Sequence, residues 1–276
     1  MSYTITCIGS GNMGGALMKA AARVIGGAAI GVTDADRAKA AAFAAELGGG
    51  ALASNTEAAA EGRFVLLAVK PQVAQAVLAE IGPTLARRLK DGKGAVLVSI
   101  VAGLSIGTMK QSLSAAGCPE TQPVIRLMPN TPALVAKGMI ALAPSAEVKP
   151  EAVQELETIL GQAGSIDRID EKYMDAVTAL SGSGPAFVYL FIEALADAAV
   201  RAGLSRDKAL RYASRTVLGA AAMVEETGQH PGLLKDAVTS PGGTTIAGIA
   251  ALEERGFRGT VMAAVDAAYR RAKELG

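Results

Sequence analysis

Three glycines in the run Gly9-Ser10-Gly11-Asn12-Met13-Gly14 offer the clearest chemistry in the chain. Their G-x-G-x-x-G spacing suits a strand that turns sharply into a helix. The first glycine permits the turn, the second lets the backbone approach a pyrophosphate, and the third allows close helix–strand packing. Chance alone supplies roughly 0.4 such matches in a chain with 32 glycines, so context decides. Here an apolar run precedes the pattern, a helical window follows it, and Asp34 stands twenty residues beyond Gly14. The helix N-terminus then offers free N–H groups and a partial positive charge to phosphates. The competing reading is an ordinary strand–turn–helix with no ligand.

Asp34 leaves two chemistries open. A carboxylate there accepts both ribose hydroxyls of NAD and repels the 2′-phosphate of NADP, whereas Arg37 and Lys39 favour that phosphate. A helix cap by Asp34 or Asp36 is a third reading. Lys70-Pro71 closes another apolar run, with proline suited to the first position of the next helix. Lys70 therefore sits at a strand's C-terminal edge, where ligands of doubly wound sheets bind; otherwise it is a solvated lysine.

Two later segments also carry polar groups in defined turns. Arg126-Leu-Met-Pro-Asn130-Thr-Pro132 leaves a buried strand through a proline-stiffened loop, or is a plain loop exit. Ser240-Pro-Gly242-Gly243-Thr244-Thr245 precedes a helix, and its glycines can turn successive N–H groups inward as an anion nest. A small carboxylate suits that nest; a simple helix cap is the alternative. The single histidine, His230, precedes Pro231 and has no neighbours of a Ser–His–Asp or zinc site. Its expected role is a turn or cap. A site of hydroxyls and amides is compatible with reduction of an imine, which can bind already protonated.

The elements that must position these residues change character along the chain. Tyr3–Ile8, Ala29–Val32, Phe64–Val69, Ala95–Ile100 and Pro123–Leu127 read as strands, and Met13–Val24 and Asp36–Leu47 as helices. Phe64–Val69 is apolar throughout, as in a parallel strand buried on both faces. Strands alternating with helices predict a Rossmann-type doubly wound, mostly parallel sheet over residues 1–165. Strand signals stop near Ser165. Pro185–Ala202, Ser205–Thr227, Thr244–Arg255 and Arg258–Leu275 then read as long helices, giving an all-helical domain over residues 166–276. Pro185–Ala202 is apolar on most sides and must be covered, which points to a second subunit.

Bulk composition narrows the function classes. Lysine plus arginine number 27 against 26 aspartate plus glutamate, so no basic stripe steers the chain to nucleic acid or an anionic membrane. No charge-free apolar stretch of about 18 residues reads as a membrane span, and no secretory signal is read at the N-terminus. Two cysteines, Cys7 and Cys118, suit a reducing compartment, hence the cytoplasm.

Taken together, the segments resemble the pyrroline-5-carboxylate reductase family over nearly the whole chain. The resemblance rests on Ile8–Gly14, Ala68-Val-Lys-Pro71, Ser99–Gly103, Arg126–Pro132, Leu180–Ala186, Leu234-Lys-Asp236 and Val238–Thr245. It implies reduction of L-1-pyrroline-5-carboxylate to L-proline by NADPH or NADH. It places the cofactor over the first glycine turn, with Asn12, Met13, Asn55, Ala68, Val69, Lys70 and Pro71 lining it. The substrate carboxylate is expected at Ser240–Thr244, and the Thr245 hydroxyl near the ring nitrogen. The family pairs its helical domains as an interlocked dimer, often built further into a decamer, with each substrate site between subunits. Asp34 departs from the serine, asparagine or arginine common at that position. A β-hydroxyacid dehydrogenase, which needs a proton-donating lysine where only Lys172 stands, and a non-catalytic dinucleotide sensor are the competing classes.

Overall fold

A computed structural model describes residues 2–275. The first strand, β1 (Tyr3–Ile8), leads through the glycine turn into α1 (Asn12–Ile25). There follow β2 (Ile30–Thr33), α2 (Arg37–Leu47), the two-residue β3 (Gly50–Ala51), α3 (Asn55–Glu61) and β4 (Gly62–Leu67). Next come α4 (Pro71–Lys90), β5 (Val96–Ser99), α5 (Ile106–Ala115) and β6 (Val124–Pro129). This half closes with β7 (Gly138–Pro144), α6 (Pro150–Leu160), β8 (Gly164–Arg168) and the short α7 (Met174–Val177).

The strands form one sheet in the order β3-β2-β1-β4-β5-β6-β7-β8. All neighbours are parallel except β6 and β7, which run antiparallel from Ile125 opposite Pro144 to Pro129 opposite Ile140. The chain leaves β1 toward β2 and β3 on one side and returns to β4 on the other. That reversal opens a crevice beyond the C-terminal ends of β1 and β4.

Alternation along β4 shows both faces covered. Phe64 and Leu66 enter one core with α1 and α6, whereas Val65 and Leu67 enter the other with α3, α4 and α5. Each of these side chains is fully buried, a contribution on the order of 1.5–3 kcal/mol apiece. Cys7 belongs to the first core and Cys118 to the second. Burial pushes their thiols up to about 12 and about 11, so both behave as small apolar groups.

The rest is helical: α8 (Gly184–Arg201), α9 (Arg206–Thr227), α10 (Pro231–Ala237), α11 (Thr244–Glu254) and α12 (Phe257–Leu275). The chain divides into two compact units. One runs to Gly182 and also takes in the last turns from Ala268; the other is Ser183–Ala267. Within the second unit, α8 and α9 meet around Ala196, Ala209 and Ala213, the buried core residues described there. Tyr189, Leu190, Leu210, Tyr212 and Leu218 are all more than half exposed. A unit with so thin a core and so much apolar surface needs a cover.

The helical run Glu171–Arg201, 31 residues long, is apolar and long enough to cross a membrane by length and composition alone. The run carries charged residues, Glu193 and Asp197 among them, so it is not a charge-free apolar stretch, and length and composition alone do not make it a span.

Candidate functional site

The crevice predicted by the strand order is a cleft of about 600 Å³, a size suited to a small organic ligand. Gly9, Gly11, Asp34, Arg37, Asn55, Ala68, Val69 and Lys70 line it together. At its floor, the Gly9 amide donates to the Thr33 carbonyl at 2.8 Å and the Ala68 amide to the Ile8 carbonyl at 2.9 Å. Gly9 has φ +102°, and a Cβ there would lie 2.6 Å from the Ala68 carbonyl oxygen. A side chain is thus excluded twice, by conformation and by space. At Gly14 a Cβ would meet the Gly9 oxygen at 2.6 Å, so this glycine sets how closely α1 approaches the turn. Gly11 differs: a Cβ there would meet nothing within 4 Å. The open space beside Gly11 fits a ligand that comes up against the backbone.

The first turn of α1 contains no acidic residue, and no side chain caps it. Its N–H groups and the positive end of its dipole are therefore available to an anion. These features fit the phosphates of a dinucleotide.

Asp34 follows β2 and is tied inward. Its Oδ2 accepts from the Ser10 amide at 2.7 Å and the Ser10 hydroxyl at 2.8 Å, and its Oδ1 from the Asp36 amide at 3.1 Å. Burial, the largest single influence, raises its pKa. The Ser10 and Asp36 hydrogen bonds, with the Lys39 charge, outweigh burial and hold the carboxyl below its usual value. Asp36, not Asp34, caps α2 by accepting from the Lys39 amide at 3.0 Å. Asn55 donates its Nδ2 to Glu80 at 2.7 Å, and Glu80 also lines the cleft. Lys70 is exposed, directly before Pro71 at the start of α4.

The remaining predicted residues lie around this cleft. Ser10 and Asn12 line a smaller neighbouring cavity of about 260 Å³, which Gly11 also borders. Met13 packs against the core, and Pro71 opens α4 without lining either cavity. Ala53, Ser54, Val73, Val77 and Glu80 line the larger cleft and were not singled out in the sequence. Val73, Val77 and Glu80 share a face of α4 at helical spacing, but an exposed glutamate on such a face carries no signal by itself.

In the helical unit, the segment Ser240–Thr245 forms its own turn. The Gly243 amide donates to the Ser240 carbonyl at 3.1 Å, Gly242 has φ +68°, and α11 starts at Thr244. No side chain caps α11, so its leading N–H groups also remain available. Ser240 and Thr244 are exposed, Thr245 half-buried. His230 accepts from the Gly232 amide at 3.1 Å through Nδ1 and caps α10, as its neighbourhood suggested. Lys172 pairs with Asp170 at 2.9 Å on the surface.

The Arg126–Pro132 segment is an anchor. Asn130 donates to the Ser181 carbonyl at 3.2 Å and hydroxyl at 3.1 Å, and accepts from the Met139 amide at 2.9 Å. This pins the loop after β6 to a π-helical turn, Thr178–Gly182. Buried Arg126 reaches Glu171 at 3.2 Å, and Glu171 also accepts from the Ile106 amide at 2.6 Å, at the start of α5.

Known proteins resemble both halves. Residues 171–275 match a family model described as pyrroline-5-carboxylate reductase dimerisation, and residues 4–103 one described as NADP oxidoreductase coenzyme F420-dependent. A pyrroline-5-carboxylate reductase of Pisum sativum is 42% identical over 99% of this chain and 96% of its own. The Escherichia coli protein of the same name is 40% identical over 100% and 99%. Among solved structures, the Plasmodium falciparum pyrroline carboxylate reductase with NADP bound superposes with a TM-score of 0.85 at 34% identity, covering 99% of this chain and 98% of that one. With a glycine turn at the crevice of a doubly wound sheet, a helical unit short of core, and relatives alike from end to end, the chain belongs to the pyrroline-5-carboxylate reductase family.

Proposed function

We infer that this chain reduces L-1-pyrroline-5-carboxylate to L-proline with a hydride from NADPH or NADH. The observation that carries the reading is the near-full-length likeness to reductases of that name, joined to a cleft fit for a dinucleotide. The nicotinamide, when bound, supplies the hydride that the imine carbon takes up. The residues Gly9–Gly14 cradle the pyrophosphate, with Asp34 and Arg37 at the adenosine end and Asn55, Ala68, Val69, Lys70 and Pro71 along the walls. The amides of Ser240, Gly242, Gly243 and Thr244 hold the substrate carboxylate against the start of α11. The ring nitrogen enters protonated, so the reduced product is a secondary amine and needs no strong acid from the protein. Thr245 accepts a hydrogen bond from that N–H through its hydroxyl oxygen and orients the ring.

The chain is a homo-oligomer, its helical unit being of the dimerisation family. Exposed Tyr189, Leu190 and Leu210 give the second copy its surface, and dimers assembling into a decamer complete the reading. The same partner covers the apolar run Glu171–Arg201, so no membrane is required. The near-zero net charge gives nucleic acid no purchase. Two free, buried cysteines agree with a cytoplasmic setting.

The test is oxidation of each reduced nicotinamide in the presence of pyrroline-5-carboxylate, with proline identified as product. Thr245→Ala is expected to lower kcat about a hundredfold while leaving the dissociation constant of NADPH unchanged. Unaltered turnover in that variant removes Thr245 from the chemistry.

A further inference from the structure

The cleft contains one carboxylate where the adenosine ribose of a dinucleotide belongs, and its accepting capacity is largely spent. An ionised carboxylate offers about four acceptor positions, two on each oxygen. On Asp34, Oδ2 takes the Ser10 amide and hydroxyl at 2.7 and 2.8 Å, and Lys39 stands 3.6 Å away on the same oxygen. Oδ1 takes the Asp36 amide at 3.1 Å. A ribose diol held by one carboxylate needs a free position on each oxygen, and here only Oδ1 retains one. What Asp34 does hold is the turn itself. Ser10 lies between Gly9 and Gly11, so its two hydrogen bonds fasten the middle of the glycine turn to the end of β2.

The cations at the same end are freer. Arg37 lines the cleft and makes no ion pair among the described residues. Lys39 lines it too, about half exposed, with only the 3.6 Å approach to Asp34. Arginine and lysine side by side suit a phosphate, and a fork of guanidinium donors suits one best. With Lys70 added, three cations face two carboxylates, Asp34 and Glu80, around the cleft.

Resting on the reading that this cleft takes NADPH or NADH, we propose that Asp34 is a positioning residue that clamps the glycine turn through Ser10, and that Arg37 and Lys39 make the cleft select the 2′-phosphorylated cofactor. The acidic residue at the end of β2 is then no mark of NADH preference in this chain. Asp34 acts on both cofactors alike through the turn that meets their shared pyrophosphate. Arg37 acts on one of them alone.

The experiment is a titration of NADPH and NADH into the full-length enzyme, read by reduced-nicotinamide fluorescence, for the wild type and for Asp34→Asn, Ser10→Ala and Arg37→Ala. The wild type is expected to bind NADPH about tenfold or more tightly than NADH. Asp34→Asn should weaken both cofactors, by about tenfold each if charge-assisted hydrogen bonds to the turn are lost. Ser10→Ala, which deletes only the hydroxyl, should weaken both in the same direction by less, and it serves if Asp34→Asn does not fold. Arg37→Ala should weaken NADPH about tenfold and leave NADH unchanged. A ribose acceptor behaves differently: Asp34→Asn would then weaken NADH alone and leave NADPH unchanged or tighter, and Ser10→Ala would be silent. That result, or tighter NADH than NADPH binding by the wild type, overturns the proposal. Absence of turnover with pyrroline-5-carboxylate alongside intact cofactor binding overturns the substrate reading and leaves the clamp standing.

Discussion

Glu147 is a half-buried carboxylate whose surroundings make it matter at low pH. A hydrogen bond from Lys110, then one from Ser145, outweigh the cost of desolvation and bring its pKa down from 4.5 to about 2. The folded state therefore holds this proton less tightly than the unfolded chain does. The resulting stability is whole at neutral pH and drains away as pH falls from 4.5 toward about 2. Glu147→Gln should cost about 1 kcal/mol at pH 7, because water still reaches this half-buried pair and screens it in part, and the difference from wild type should vanish near pH 2. Urea denaturation across that range measures it. Sequence spacing gave no hint of this pair, since Lys110 and Glu147 lie on distant segments. The same holds in the cleft. Gly9, Gly11 and Asp34 could be found by spacing because a turn into a helix constrains neighbours along the chain. Glu80 could not, because only the packing of α3 on α4 brings it to Asn55. Once there it fixes that amide: an ionised carboxylate only accepts, so Nδ2 faces it and Oδ1 is left for a ligand.

At the scale of the element, the turn from β1 into α1 shows how little latitude the fold leaves. Gly14→Ala puts a methyl 2.6 Å from the Gly9 oxygen and 2.8 Å from the Ala68 Cβ. The helix must then move off the strand. The expected cost is about 1–3 kcal/mol in thermal or urea unfolding, with weaker binding of both cofactors. The strands buried on both faces were legible because continuous apolar runs such as Phe64–Leu67 leave no other reading. Three strands were not. β3 is two residues long, β8 carries Gly164-Ser-Ile-Asp-Arg168 on a sheet edge with only one large apolar side chain, and β7 follows a proline-rich loop that masks its start. The π-helical turn at Thr178–Gly182 was equally silent. It is held from outside by Asn130, which lies 51 positions from Ser181. In the second half, glycine and proline punctuation placed α8, α9, α11 and α12 within a residue or two, since helices this long announce their ends.

For the whole molecule, the contrast between the two units decides behaviour. The first has cores on both faces of an eight-stranded sheet; in the second, among the described residues, α8 and α9 meet around three small buried side chains. Alanines bring α8 and α9 close but bury little apolar area each. That thin centre has a consequence in time. After dilution from denaturant, the sheet unit can close on contacts within its own chain, a first-order process indifferent to protein concentration. On the proposed reading the helical unit takes its apolar cover from another copy, a step that is second order. Cofactor fluorescence should therefore return early and at a fixed rate, whereas turnover should return later and faster as the protein is made more concentrated. Between those two moments a half-made chain displays Tyr189, Leu190 and Leu210 to solvent. In a crowded cell this exposed interval, rather than the finished enzyme, is when the protein would need a chaperone's protection.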